Sequence, residues 1–271
     1  MSPRARVLGG GVAFVCAAPL ALLMLLSVAG PWPFPDLVPQ TLRFDRWGLL
    51  LSGGSDLTES TAVSFLLATT VALVSTTLGL FTARAIAGHR RSTALHLAAT
   101  LPLAISPVIL GVCLLYLYIR LHLVATLLGV ILAHLIFAYA FATVFWIPFW
   151  NPEKRAYADL VRTLGGRTRD FYWRVLLPIS RGPFVVCFFQ TFLISWFQYG
   201  LTLLVGSGKV ETLPLKVYDY VSEANVGFAA VAGCLLVAPP IALAWVNQRI
   251  FLDISRNLSR DLSRNLSRRL S

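Results

Sequence analysis

Charge is the first thing this chain lacks. Of its 271 residues only 13% are Asp, Glu, Lys or Arg, while 57% are hydrophobic. Mean hydropathy is +0.73. Soluble domains carry about 25% charged residues, and a soluble chain of this size needs more polar surface than these side chains supply. A soluble fold is therefore excluded. Cysteine is scarce too. Cys16, Cys113, Cys187 and Cys234 each fall inside an apolar run, with the spacing of neither a zinc site nor a disulfide framework. They read as small buried thiols. No ten-residue alternation of apolar and polar residues recurs, which argues against a membrane β-barrel. Ionisable residues are nearly missing from the apolar runs, where His134 is the one candidate. Gradient-driven transporters usually place such groups within the membrane, so a secondary transporter stands only as the alternative reading. His134 itself reads as a histidine hydrogen-bonded to a neighbouring helix. No acids, histidines and nucleophile converge at one depth, so the sequence offers no catalytic residue and no metal site.

Long apolar runs are what the chain has instead. Six of them, 8–29, 61–83, 96–118, 123–147, 184–205 and 226–248, can cross the hydrocarbon as helices, a crossing that needs about 20 residues for about 30 Å. Helices satisfy their own backbone groups where no water is present. The predicted fold class is all-α integral membrane, with six transmembrane helices. An even number puts both termini on one side, and Lys and Arg decide which. Eighteen of the 23 fall on the terminal side: Arg4 and Arg6, then Arg84, Arg90 and Arg91, seven in the loop 149–183, and six from Arg249 onward. The other side holds Arg43, Arg46, Arg120, Lys209 and Lys216. Cytoplasmic N and C termini are expected, and the same distribution accounts for the net charge of +11 without nucleic acid. A rival reading makes the N-terminus a signal peptide cleaved after Ser27-Val28-Ala29. The apolar run there is about 20 residues, longer than the 7–15 of a signal core, and we read it as a retained first helix. Trp146, Trp150 and Trp245 fall near the cytoplasmic ends of spans four and six, where amphipathic rings settle.

The loop 149–183 is polar, basic and broken by Gly165-Gly166. Its pattern reads helix, break, helix. Leu160 and Leu164 stand at i and i+4. A glycine pair is a usual C-terminal stop where a residue must take positive φ. Thr168 can cap a second helix with Asp170 in its first turn. A rigid knob between two membrane helices serves to push on another protein, or be pushed by it. A merely solvated basic loop is the competing reading.

The residues of this loop resemble the cytoplasmic loop of ABC-importer permeases, with its pattern E-A-A-x3-G-x9-I-x-L-P. Asp159-Leu160-Val161 stands at the Glu-Ala-Ala positions, Gly165 at the glycine, and Val175, Leu177 and Pro178 at the I-x-L-P positions. Leu160 and Val161 are bulkier than the family's alanines. "LPLAISPVILG" (101–111) and "TLPLKVYDYVSEANVGFAA" (212–230) resemble the family's proline-containing third helix and last outer loop. The resemblance spans roughly 55–250, nearest the branch for polyamines, thiamine, ferric iron and sulfate. It implies a type I, binding-protein-dependent importer of a prokaryotic cytoplasmic (inner) membrane. Its expected partners are a cytosolic ABC ATPase dimer, a second permease (self or sister), an external solute-binding protein and membrane lipid. ATP and magnesium belong to the ATPase, and this chain binds no cofactor. The resemblance assigns the coupling role toward the ATPase to Ala158, Asp159, Leu164, Gly165, Gly166 and Phe171, with Val175, Leu177 and Pro178 structural.

The remaining features are weaker. "GSGKVET" (206–212) misses the phosphate-loop spacing and reads as a turn. Hydroxyls at Ser64, Thr69, Thr70, Ser75, Thr76 and Thr77 read as helix-packing groups. Gln190, Ser195 and Gln198 in span five are candidates to line a solute path, Gln190 and Gln198 being eight apart and so about 80° from one face. Pro102 and Pro107 should kink span three. Asp36, Asp45, Asp56 and Glu59 in the first outer loop are candidate contacts for the binding protein. Residues 1–250 form the expected permease domain. Residues 251–271 form a Ser/Arg/Leu-repeat tail, either disordered or lying on the anionic inner leaflet.

Overall fold

The structure is a computed structural model that describes residues 3–30, 32, 39–51, 55–243 and 245. The expectations for Asp36, Arg249 and the repeat tail 251–271 fall outside these residues. Residues 1–236 form one compact unit, and a second comprises 237–271.

The described residues are helical throughout, apart from short connections and one isolated bridge between Ala29 and Leu42. In chain order the helices begin with α1 (Pro3–Val28), α2 (Asp45–Leu51), α3 (Asp56–Gly88), α4 (Ser92–Ala104) and α5 (Pro107–Arg120). Then come α6 (Leu127–Trp146), α7 (Pro152–Thr163), the single turn α8 (Thr168–Asp170) and α9 (Leu177–Trp196). Short α10 (Gly200–Gly206) and α11 (Leu213–Ser222) precede α12 (Val226–Leu243). Among the described residues four stretches are long and apolar enough to cross a membrane: α3, α6, Thr168–Trp196 and α12. The pair α4 and α5 makes a fifth if it counts as one crossing.

Caps set the helix starts. The Ser55 hydroxyl accepts from the Thr58 N–H, with Asp56 and Glu59 in the first turn of α3. The Thr126 hydroxyl accepts from the Gly129 N–H at 3.0 Å to start α6. Each satisfies a donor the helix cannot, and the acids complement the positive helix end.

Two predicted spans differ. The run 96–118 was expected to be one kinked helix, but α4 and α5 meet at a 95° bend. Pro107 stands at the first turn of α5, and a residue before proline is pushed out of the α region. Ser106 accordingly takes φ −60°, ψ 133°. The run 184–205 was expected as one helix. The observed helix starts at Thr168, ends at Trp196, and is followed after a break by α10. The apolar run continued through a turn that hydropathy does not register.

Helix α3 is the axis of the first unit. It contributes Leu67 and Val71 to a cluster with α5, α6 and α10; Leu57, Ala68 and Ala72 to one with α9, α11 and α12; and Leu80 and Ala83 to one with Trp146, Trp150, Phe171 and Cys187. Lipid tails are as apolar as leucine, so small residues and interhelical hydrogen bonds decide such packing. Gly79 lies so close to α6 that a Cβ there would stand 2.7 Å from the Ala142 Cβ and 2.9 Å from its carbonyl carbon. The Thr76 and Thr191 hydroxyls pair at 3.1 Å between α3 and α9. Ser64 accepts from the Leu213 N–H at 2.6 Å. Thr70 and Thr77, by contrast, bond back to their own helix.

Candidate functional site

Between α6 and α9 the chain leaves the bundle at the Gly88 end of α3, makes α7, and returns. Asn151 caps α7 by accepting from the Lys154 N–H at 3.0 Å, and Pro152 opens the helix. The other end closes as a Schellman motif. The Gly166 N–H donates to the Val161 carbonyl at 2.9 Å and the Gly165 N–H to the Arg162 carbonyl at 3.0 Å. Gly165 has φ +75°, the left-handed conformation this motif requires. The next cap sits one residue earlier than expected. Arg167 is the N-cap, its N–H donating to Asp170 Oδ2 at 2.9 Å, and Thr168 is the first helical residue.

The second helix does not stop. It passes through a π-helical turn, Phe171–Leu176, into α9. In an α-helix five steps of about 100° would leave Leu176 about 140° from Phe171. The π-helical i→i−5 bonds bring them to one side. Both are buried, against Trp146, Trp150 and Cys187.

The predicted coupling residues therefore divide. Asp159 and Leu164 are exposed, Leu164 at 77%, with Leu160 and Trp173 also exposed. Gly165 is exposed and Gly166 half-buried. Ala158 lies within α7. Phe171 faces inward, only 4% exposed, and roots the excursion in the bundle. Val175 is half-buried, while Leu177 and Pro178 are exposed at the start of α9. The outer face is basic. Arg162 and Arg174 pair at 3.7 Å with Asp159 and Asp170. Gly165, Arg167, Arg169, Asp170, Trp173 and Arg174 line an open depression of about 550 Å³.

Sequence reasoning missed the anchor. Arg84, counted in the sequence as one of the basic residues at a span end, lies over the rings of Trp150, Phe171 and Tyr172 at 5.3, 5.2 and 5.3 Å. It also donates to the Tyr172 hydroxyl. Trp150 donates its indole N–H to the Leu80 carbonyl at 3.0 Å. The signal was present as an arginine at a span end and aromatics at both loop ends, but no local spacing joins residues more than sixty positions apart.

The path candidates do not form one face. Ser195 is buried in packing, where its hydroxyl pairs with His134 Nδ1 at 2.8 Å. His134 Nε2 pairs with the Thr202 hydroxyl at 2.9 Å. The histidine is 2% exposed and ties α6 to α9 and α10, as expected of a packing histidine. Gln198 lies beyond the end of α9, so the helical-face argument that joined it to Gln190 does not extend to it. Its amide nitrogen is buried without an acceptor among the described residues. Gln190 is half-buried on α9.

At the Asp56 end of α3, Asp56, Glu59, Lys209, Glu211 and Lys216 line a cleft of about 430 Å³. Lys216 pairs with Glu211 at 2.5 Å. Burial lowers the lysine pKa, but the Glu211 bond and charge, with Asp56, outweigh it, and the net shift is upward. The 206–212 segment is a turn, with Ser207 and Gly208 at positive φ. Among the described residues no group of His, Cys, Asp and Glu could hold a metal ion.

A scan of protein-family models finds none that matches the chain. Among individual proteins, it is 30% identical over 249 residues to the molybdenum transport system permease protein ModB of Mycobacterium bovis, covering 86% of this chain and 88% of that one. The same figures hold for ModB of Mycobacterium tuberculosis. Among solved structures, a bacterial ABC transporter involved in importing the acidic polysaccharide alginate superposes with a TM-score of 0.64. That match covers 93% of this chain and 99% of the other at 15% identity, a likeness of fold. The chain belongs to the ABC-importer permease family, as a multi-pass membrane transport subunit and not an enzyme, the ATPase being a separate chain.

Proposed function

We propose that this chain lies in the cytoplasmic membrane of a prokaryote with six crossings and both termini inside, and that the excursion 152–176 docks on a cytosolic ATPase dimer. The crossings are α1, α3, the bent pair α4–α5, α6, Thr168–Trp196 and α12, within a permease domain of residues 1–250. The distribution of Lys and Arg supports this orientation, because it sets the Gly88 end of α3 on the basic side. The observation that carries the docking reading is α7 itself. It is capped at both ends, rooted through Phe171, and it exposes Leu160 and Leu164 to no partner within the described chain. Asp159, Leu164, Gly165 and Gly166 present the contact surface, Ala158 of the same helix shares the coupling role, and Phe171 carries the displacement inward. The ATPase holds ATP and magnesium. A second permease and lipid cover the apolar faces of α1, α4 and α5, which expose Phe14, Leu97, Leu101, Ile109 and Tyr116. An external binding protein meets the charged cleft at the Asp56 end.

The solute we propose is molybdenum, as its soluble oxyanion. The 30% identity to molybdenum permeases across most of both chains supports it. Gentle detergent purification of the tagged chain from its host, with mass spectrometry of what accompanies it, tests the assembly. A stoichiometric ATPase is the expected result, and a chain that comes alone would sink the docking reading. Elemental analysis of cells with and without the chain tests the solute. Equal molybdenum content, with a difference in another oxyanion such as sulfate, would overturn that assignment alone.

A further inference from the structure

An excursion that transmits a push must be fixed at both ends to something that moves. The chain leaves the bundle at Trp150 and re-enters it at Phe171, and both residues are buried. Both are held by α3. Trp150 is fastened through its indole N–H to the Leu80 carbonyl. One turn along α3, the Arg84 guanidinium covers Trp150 at the exit and Phe171 and Tyr172 at the re-entry, all within 5.3 Å of a ring centroid. It donates to the Tyr172 hydroxyl as well, and the Phe81 ring meets Tyr172 at 6.0 Å.

A single planar cation thus bridges the two ends of the excursion. Guanidinium suits the role because it stacks on ring faces and donates from its edge at once, which an ammonium cannot do. Among the described residues no carboxylate pairs with Arg84 to draw it out of the cage. Beyond the cage α3 is fastened in turn to α6 by the close approach at Gly79 and to α9 by the Thr76–Thr191 pair. The π-helical turn completes the device by setting Phe171 and Leu176 on one inward face.

We propose that Arg84 is a positioning residue that locks the exit and re-entry of the excursion onto α3, so that the excursion and the Gly88 half of α3 move as one body. The proposal rests on the reading that a cytosolic ATPase drives α7. It adds the element to which the motion is delivered and the side chain that delivers it.

The test uses the assembled permease–ATPase complex, with the four native cysteines replaced. Spin labels are placed at Thr168 in the excursion and Leu78 on α3, both exposed and outside the cage. Their separation is measured without nucleotide and after trapping with ATP and vanadate. In the parent complex the distance distribution is expected to stay unchanged. In Arg84→Met, ATP is expected to shift or broaden it on the order of 2–5 Å, the scale of helix displacements in switching proteins. Tyr172→Phe, which removes only the hydroxyl, is expected to broaden it less. If Arg84→Met does not assemble, Arg84→Lys keeps the charge and most of the stem and carries the same expectation. A parent complex whose excursion slides against α3 on ATP would overturn the inference. So would an arginine variant whose distribution stays fixed. A parent chain that retains no ATPase overturns the docking reading and this one together, whereas a retained ATPase with a sliding excursion overturns this one alone.

Discussion

Gly165 separates what α7 looks like from what it does. Its φ is +75°, and a Cβ built there would meet nothing within 4 Å. Alanine therefore brings no clash within this chain, only a left-handed backbone penalty of about 1–2 kcal/mol. That is about a 5- to 30-fold shift from capped toward frayed at the end of α7. Asparagine tolerates the same conformation and costs less. Both side chains project from the surface at which we place the ATPase, and leucine projects further. Transport is therefore expected to fall in the order Gly, Asn, Ala, Leu, with the amount of permease in the membrane unchanged. The assay is uptake and co-purified ATPase, both normalised to permease. Gly166 is the internal control. A Cβ there would stand 2.7 Å from Val161 Cγ1 and 2.9 Å from the Val161 carbonyl oxygen, so Gly166→Ala must displace backbone and cost more. Equal transport by the parent and the three Gly165 variants would refute the docking role. Loss of the permease itself from the membrane would refute the geometry.

Other outcomes follow from the packing. Gly79→Ala places a methyl against the backbone of Ala142, an overpacking expected to cost about 1–3 kcal/mol. Gly88→Ala meets nothing within 4 Å and should stay within about 0.5 kcal/mol of the parent; detergent thermal unfolding of the pair checks both. His134→Leu removes the bonds to Ser195 and Thr202, and at about 0.6 kcal/mol per interhelical polar contact in membranes should cost about 1 kcal/mol. If that variant unfolds normally but no longer transports, His134 belongs to the transport chemistry and the packing role is wrong. Uptake into ATP-loaded vesicles should stop with vanadate and persist when a protonophore collapses the gradient; the reverse pattern would restore the secondary-transporter reading.

Much of the fold was legible because lipid enforces a simple rule. Backbone groups must be satisfied within the segment, so apolar runs became helices wherever they were long enough. The rule failed where the chain breaks inside an apolar run. Pro107 was visible as a kink, but the 95° bend arises from the extended Ile105 and Ser106 before it, and hydropathy carries no record of backbone angles. The break after Trp196 is likewise written in Gly200 and the polar Gln198, embedded in residues that read as one membrane run.

The site divides along the same line. Local spacing located α7, its glycine stop and the acid at Asp170, because caps and turns act over a few residues. It did not mark Phe171 as the buried root of the excursion, because burial depends on partners far along the chain. Phe171 is covered by Trp146, Trp150 and Arg84, and none lies within twenty residues of it. The same distance effect hid the pairing of Ser195 with His134, which meet across 61 positions. Residues that engage a neighbour in sequence were readable. Residues that engage across helices, which connect the excursion to the bundle, find their partners only in the folded chain.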